Sequence, residues 1–99
     1  MPSIPFSMIA KRVFFEGKVQ GVGFRYATKN IARGFDVTGT VRNLPDGRVQ
    51  LEAMACDPDE LDAFLEEITV NSNLAHHIKS TQIESIPPLT GLRGFEIVT

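Results

Sequence analysis

The chain has 99 residues, of which 42% are apolar and 22% charged; this is the length and composition of one globular domain and excludes a disordered or fibrous chain. The single cysteine, Cys56, excludes an intramolecular disulfide and an all-cysteine zinc site, and no apolar run approaches the roughly 18 residues of a membrane-spanning helix. The net charge of −2 is unevenly laid out, because residues 1–48 hold eight Lys/Arg against three acids and residues 49–99 hold two against nine. A net acidic chain is a poor nonspecific nucleic-acid ligand, since that binding needs many neutralised phosphates, but a basic half can still attract one small anion. The first ten residues carry Pro2 and Pro5 and no basic cluster, so they do not read as a signal peptide. The expectation is a single cytoplasmic, monomeric domain over 1–99, with residues 1–8 a loosely ordered N-terminal extension and with neither nucleic acid nor membrane as partner.

Taken in chain order, residues 8–17 read as a strand with Ile9, Val13 and Phe15 on one face. Three glycines within Gly17–Gly23 mark a loop, after which Phe24, Ala27, Thr28, Ile31 and Ala32 recur at helical spacing and Gly34 is placed to end the helix. A second strand near 36–43 puts Val37, Gly39 and Val41 on one face. Leu44-Pro45-Asp46-Gly47 reads as a turn, and Val49, Leu51, Ala53 and Ala55 alternate in a third strand, so strands two and three form a hairpin. The second helix opens with Asp57 as N-cap, Pro58 at the first helical position and Glu60 at capping-box spacing. Its apolar face is Leu61, Phe64, Leu65 and Ile68, and Asn71-Ser72-Asn73 stops it. A weaker fourth strand follows over 77–86, a loop from Pro87-Pro88 to Arg93, and a short last strand over 94–98. The order β-α-β-β-α-β-β predicts an α+β, ferredoxin-like βαββαβ sandwich with an extra C-terminal strand and two helices on one face of a mainly antiparallel sheet.

The chemistry concentrates in Gly17-Lys18-Val19-Gln20-Gly21-Val22-Gly23-Phe24-Arg25, which joins a strand to a helix N-terminus. Glycines let successive N–H groups curl inward, the first helical turn adds unpaired donors, and Arg25 adds a planar fork matched to phosphate oxygens. A cation at a helix N-terminus opposes the dipole, a local cost that makes sense with an anion between them. The P-loop pattern is absent, and Tyr26 stands where a dinucleotide fingerprint needs glycine. On the residues alone, the segment is either an anion cradle or a tight connection whose glycines relieve sterics. Asn43, beside the turn, is by spacing an ordinary turn residue.

The first segment resembles the opening signature of the acylphosphatase family. Gly39-Thr40-Val41-Arg42-Asn43 with Pro45-Asp46-Gly47 resembles its second signature, and Gly94-Phe95-Glu96-Ile97 its closing strand. Thr40 stands where many members carry Trp. The resemblance runs over about residues 10–98. It implies hydrolysis of acyl phosphates to a carboxylate and inorganic phosphate, without metal or other cofactor. It also implies that Arg25 and the loop Val19, Gln20, Gly21, Val22, Gly23 and Phe24 hold the phosphoryl group while Asn43 positions the attacking water. The chemistry is compatible with that assignment. An acyl phosphate has a good leaving group, so what remains is charge stabilisation and an in-line water. The alternative is a non-catalytic phosphate or small-molecule binding module on the same scaffold, which would need only the anion loop.

Other candidates are weaker. His76 and His77 would point to opposite faces of a strand and cannot chelate one ion together. Cys56 lacks a partnering histidine motif. Phe14-Phe15 invites comparison with RNA-recognition sheets, but strand three, Arg48–Met54, has no aromatic residue. Asp59, Glu60, Asp62, Glu66 and Glu67 are accounted for by the solvated face of the second helix.

Overall fold

The computed structural model describes residues 8–98, so the expected N-terminal extension, apart from Met8, lies outside the described residues. The elements are β1 (Ile9–Gly17), α1 (Phe24–Ala32), β2 (Thr38–Asn43), β3 (Val49–Ala55), α2 (Pro58–Glu66), β4 (Ile78–Ile86) and β5 (Phe95–Val98). One five-stranded sheet has the order β4-β1-β3-β2-β5. All neighbours are antiparallel except β2 and β5, so the expected ferredoxin-like arrangement carries a parallel edge strand.

Alternation decides which face of the sheet is covered. Val13 and Phe15 of β1, Val41 of β2, and Val49, Leu51 and Ala53 of β3 are fully buried. They pack against Phe24 and Ala32 of α1 and Leu61, Phe64 and Leu65 of α2, forming one core. Phe14 lies on the opposite face, where the Arg48 guanidinium sits 4.5 Å from its ring centre, so it is a half-buried support for Arg48. Among the described residues no helix is long and apolar enough to cross a membrane.

Several local expectations are corrected. Gly34 does not adopt the left-handed cap conformation. The helix ends instead by tightening, with Gly34 N–H donating to Ile31 O at 3.0 Å and Phe35 N–H to Ala32 O at 3.1 Å. Asp57 caps α2, accepting from Asp59 N–H at 2.9 Å, but the capping box is not closed because Glu60 Oε2 accepts from Asp36 N–H at 2.8 Å. The second helix does run on to Asn71, but its last five residues form a wide turn in which Ser72 N–H reaches back to Glu67 O at 2.8 Å. His76 and His77 lie in a short 3₁₀ turn ahead of β4 and not on a strand.

Candidate active site

The topology brings two distant segments together. In the sheet, β3 lies between β1 and β2, and Phe15 of β1 and Asn43 of β2 both pair with Val49 of β3. The chain therefore leaves β1 and β2 at the same end, and the Gly-rich loop after β1 stands beside the hairpin tip after β2.

The loop is anchored at both ends. Val19 is fully buried in the core, and Phe24 is 2% exposed with its ring 5.0 Å from that of Phe15. Between these anchors Gly21, Val22 and Gly23 are exposed. Gly21 and Gly23 both have φ of 78°, the left-handed region, and a Cβ at either would meet nothing within 4 Å. Glycine is needed there for its dihedral freedom, while the space in front of the loop stays open. Among the described residues the backbone N–H groups from Gln20 to Tyr26 have no acceptor; the first partnered one, on Ala27, donates to Gly23 O at 3.0 Å. A row of unused donors at a helix N-terminus is an anion-binding arrangement.

Val19, Gly21, Gly23, Phe24, Arg25, Tyr26 and Asn43 line one cavity of about 220 Å³. The structure thus brings Arg25 and Asn43 onto the same concavity as the loop glycines. Arg25 is half-buried, and its Nη1 donates to Val98 O at 3.4 Å, a long bond that ties the guanidinium toward the end of β5. The lining contains no carboxylate, imidazole or thiol, and so offers no group that could serve as a strong general base.

Two expected loop residues stand apart from the lining. Val22 is 40% exposed at the tip. The Gln20 side chain turns away toward the hairpin, donating to Leu44 O at 2.8 Å and Arg48 O at 2.9 Å. Val19 contributes backbone and a core anchor. Tyr26, which by sequence is only a break in a dinucleotide pattern, lines the cavity and is 76% exposed. Its place one residue after Arg25 in the first helical turn is the signal that could have found it.

The hairpin tip that carries Asn43 is itself braced. Leu44 N–H donates to Arg48 O at 2.8 Å and Gly47 N–H to Leu44 O at 3.1 Å. The Asp46 carboxylate accepts from Arg48 N–H at 3.1 Å and Arg48 Nε at 2.8 Å. Hydrogen bonding to the Arg48 backbone N–H, helped by its guanidinium, holds the Asp46 carboxyl below its ordinary range. Cys56 is exposed just beyond β3, and among the described residues no three His, Cys, Asp or Glu side chains gather as a metal site would require.

The acylphosphatase family profile matches residues 11–97. An acylphosphatase from Archaeoglobus fulgidus is 40% identical over 90 residues, covering 91% of this chain and 83% of that protein. One from Lacticaseibacillus paracasei is 35% identical over 89 residues, covering 90% and 95%. The crystal structure of acylphosphatase from Bacillus subtilis superposes with a TM-score of 0.81 at 31% identity, over 92% of this chain and 99% of that one.

Proposed function

The chain belongs to the acylphosphatase family, enzymes that hydrolyse acyl phosphates, and from that premise we propose that the loop 19–25, Arg25 and Asn43 carry out the reaction. The observation that supports this reading is the shared cavity: Arg25, Asn43 and the loop residues Gly21 and Gly23, whose N–H groups have no acceptor among the described residues, line the same space from separate elements.

The N–H groups of the loop and the Arg25 fork bind the phosphoryl oxygens, whose negative charge they offset in a fixed geometry. The Asn43 carboxamide, with both an acceptor and donors, holds a water in line with the bond to be broken. The water oxygen attacks phosphorus, the bond from phosphorus to the bridging oxygen breaks, and the acyl carboxylate departs with the electron pair. A carboxylate is stable as it leaves, so no acid is required to protonate it. The proton of the attacking water passes to a phosphate oxygen, which matches a lining without a carboxylate, imidazole or thiol to accept it.

The test is phosphate release from acetyl phosphate by the purified protein in the presence of a chelator. Turnover is expected to be independent of added metal, because the cation's role falls to Arg25 and backbone dipoles. Arg25→Ala should lose both turnover and competitive inhibition by inorganic phosphate. Asn43→Ala should lower kcat by about 100-fold or more while leaving phosphate inhibition nearly unchanged. A stably folded Asn43→Ala with wild-type turnover would remove Asn43 from the mechanism. A protein that binds phosphate but releases none from acyl phosphates would instead be a binding module.

A further inference from the structure

Gln20 belongs to the Gly-rich loop by sequence, yet its side chain does not serve the cavity. A primary carboxamide has two N–H donors. Here Nε2 contacts two carbonyl oxygens, Leu44 O at 2.8 Å and Arg48 O at 2.9 Å, so both donors are committed to the hairpin. The remaining polar atom is a carbonyl oxygen, which an anion would repel. Gln20 is therefore built to hold the hairpin and is badly equipped to hold a phosphate.

The two carbonyls it grips have a particular place. Asn43 and Val49 form the last pair of the β2–β3 ladder, and Leu44 and Arg48 are the residues immediately beyond it. Each carbonyl already accepts from the turn's own backbone, Leu44 O from Gly47 N–H and Arg48 O from Leu44 N–H. The turn can close without Gln20. What the carboxamide adds is a rigid link between the loop that would hold phosphorus and the strand end that would hold the water.

We propose that Gln20 is a positioning residue that acts through Asn43, setting the separation between the phosphate cradle and the attacking water. The proposal rests on the water-positioning reading of Asn43. In-line attack is sensitive to placement, with a shift of about 1 Å costing on the order of 100-fold in rate. A hairpin released from the loop would shift Asn43 relative to the cradle while leaving Arg25 and the loop N–H groups in place.

The experiment is a kinetic double-mutant cycle with acetyl phosphate as substrate and inorganic phosphate as competitive inhibitor, using wild type, Gln20→Met, Asn43→Ala and the double variant. Methionine keeps the length and removes both donors. Gln20→Met should lower kcat about tenfold, a fraction of the full misplacement effect, and change phosphate inhibition by no more than about twofold. In the Asn43→Ala background it should cost nothing further, because the residue through which it acts is gone. Gln20→Glu supplies an independent readout that also serves if the methionine variant fails to fold. Its carboxylate has no donor, whereas the protonated acid has one. Its kcat relative to wild type should therefore rise as the pH is lowered from about 8 to about 5. Phosphate inhibition weakening in step with kcat/KM in Gln20→Met would make Gln20 a phosphate ligand and overturn the proposal, as would unchanged kcat or a pH-independent Gln20→Glu ratio. If Asn43→Ala loses turnover and Gln20→Met still costs tenfold on top of it, the Gln20 proposal alone falls. If Asn43→Ala turns over like wild type, the water-positioning reading falls and takes the Gln20 proposal with it.

Discussion

Gly23→Ala tests the loop through its backbone. Gly23 is the residue before α1, with φ of 78° and ψ of 21°, and an added Cβ would touch nothing within 4 Å. No clash contributes, so the cost is conformational. An L-residue in the left-handed region costs about 1–2 kcal/mol. Part of this is offset by the lower entropy of the unfolded alanine chain, about 0.4–1 kcal/mol. The net loss is about 1 kcal/mol, which for a domain of this size lowers Tm by about 4–8 °C. The loop can escape the strain only by rotating peptides between its anchors, since Val19 and Phe24 are buried. Such rotation turns N–H groups away from the cavity. Thermal unfolding with and without saturating phosphate separates the two effects. With phosphate the loop is held in its strained form and the full loss should appear; without it the loss should be smaller, so phosphate should stabilise the variant less than wild type. Gly34→Ala is the control. Gly34 is outside the left-handed region and its Cβ would make an ordinary 3.5 Å contact with Ile31 O, so Tm should hold or rise. A Gly23→Ala protein with wild-type Tm and wild-type phosphate stabilisation would refute the cradle as a conformationally specified site.

Arg25→Lys should weaken competitive inhibition by phosphate and lower kcat/KM, because an ammonium cannot reproduce a planar fork of donors; unchanged inhibition would show that Arg25 acts only as a point charge. Asp46, held below its ordinary range by Arg48, contributes stability that is present above the unfolded carboxyl value and lost as pH falls through the lower folded one. The Tm advantage of wild type over Asp46→Asn should therefore shrink on going from about pH 6 to about pH 3, and an advantage constant over that span would contradict the ion-paired turn. The kcat/KM for acetyl phosphate should fall as ionic strength rises from about 0.01 M to about 0.5 M while kcat changes little, measured by initial rates across a salt series.

The element order was legible because β1 and β3 alternate cleanly, as Val13 and Phe15 or Val49, Leu51 and Ala53 do, and because Leu61, Phe64 and Leu65 recur at helical spacing. Most of what escaped was decided by distance in the chain. Glu60 has the spacing of a capping box, but Asp36 N–H, brought near by the packing of the α1–β2 connection, takes its carboxylate. Gly34 has the composition of a left-handed cap, but Arg33, Gly34 and Phe35 close the helix by i to i−3 bonds. The parallel pairing of β5 with β2 required the chain to pass from the β4 edge to the opposite edge, and no local period records that crossing. In the site, Arg25, Asn43 and the glycines could be named because their residue types suit the chemistry and resemble known motifs. Gln20 sits in the same motif, and only its bonds to Leu44 and Arg48 reveal a different use.

The charge asymmetry along the chain acquires a meaning once the chain is folded. The early cations on β1 meet the acids of the later half: Lys11 pairs with Asp62 at 2.9 Å, and Arg12 with Glu52 at 2.7 Å and Glu84 at 2.9 Å. Donating to the Glu52 and Glu84 carboxylates holds the Arg12 pKa above its ordinary value. Glu52 and Glu84 are used across the sheet and Asp62 between α2 and β1, and none of them pairs with α1. That helix carries Arg25 and Lys29, is followed by Arg33, and has no acidic residue of its own. Among the described residues none of these three cations, nor Arg42 next to Asn43, lies within ion-pair distance of a carboxylate. Like charges one helical turn apart oppose helix formation by a few tenths of a kcal/mol, and a cation in the first turn opposes the dipole as well. The fold therefore pairs Lys11 and Arg12 of β1 and leaves Arg25, Lys29 and Arg33 of the α1 region without a carboxylate partner. In a chain that is acidic overall, Arg25 at the loop and Arg42 beside Asn43 are thus left without a carboxylate partner near the cavity, while Lys29 and Arg33 stand further along α1.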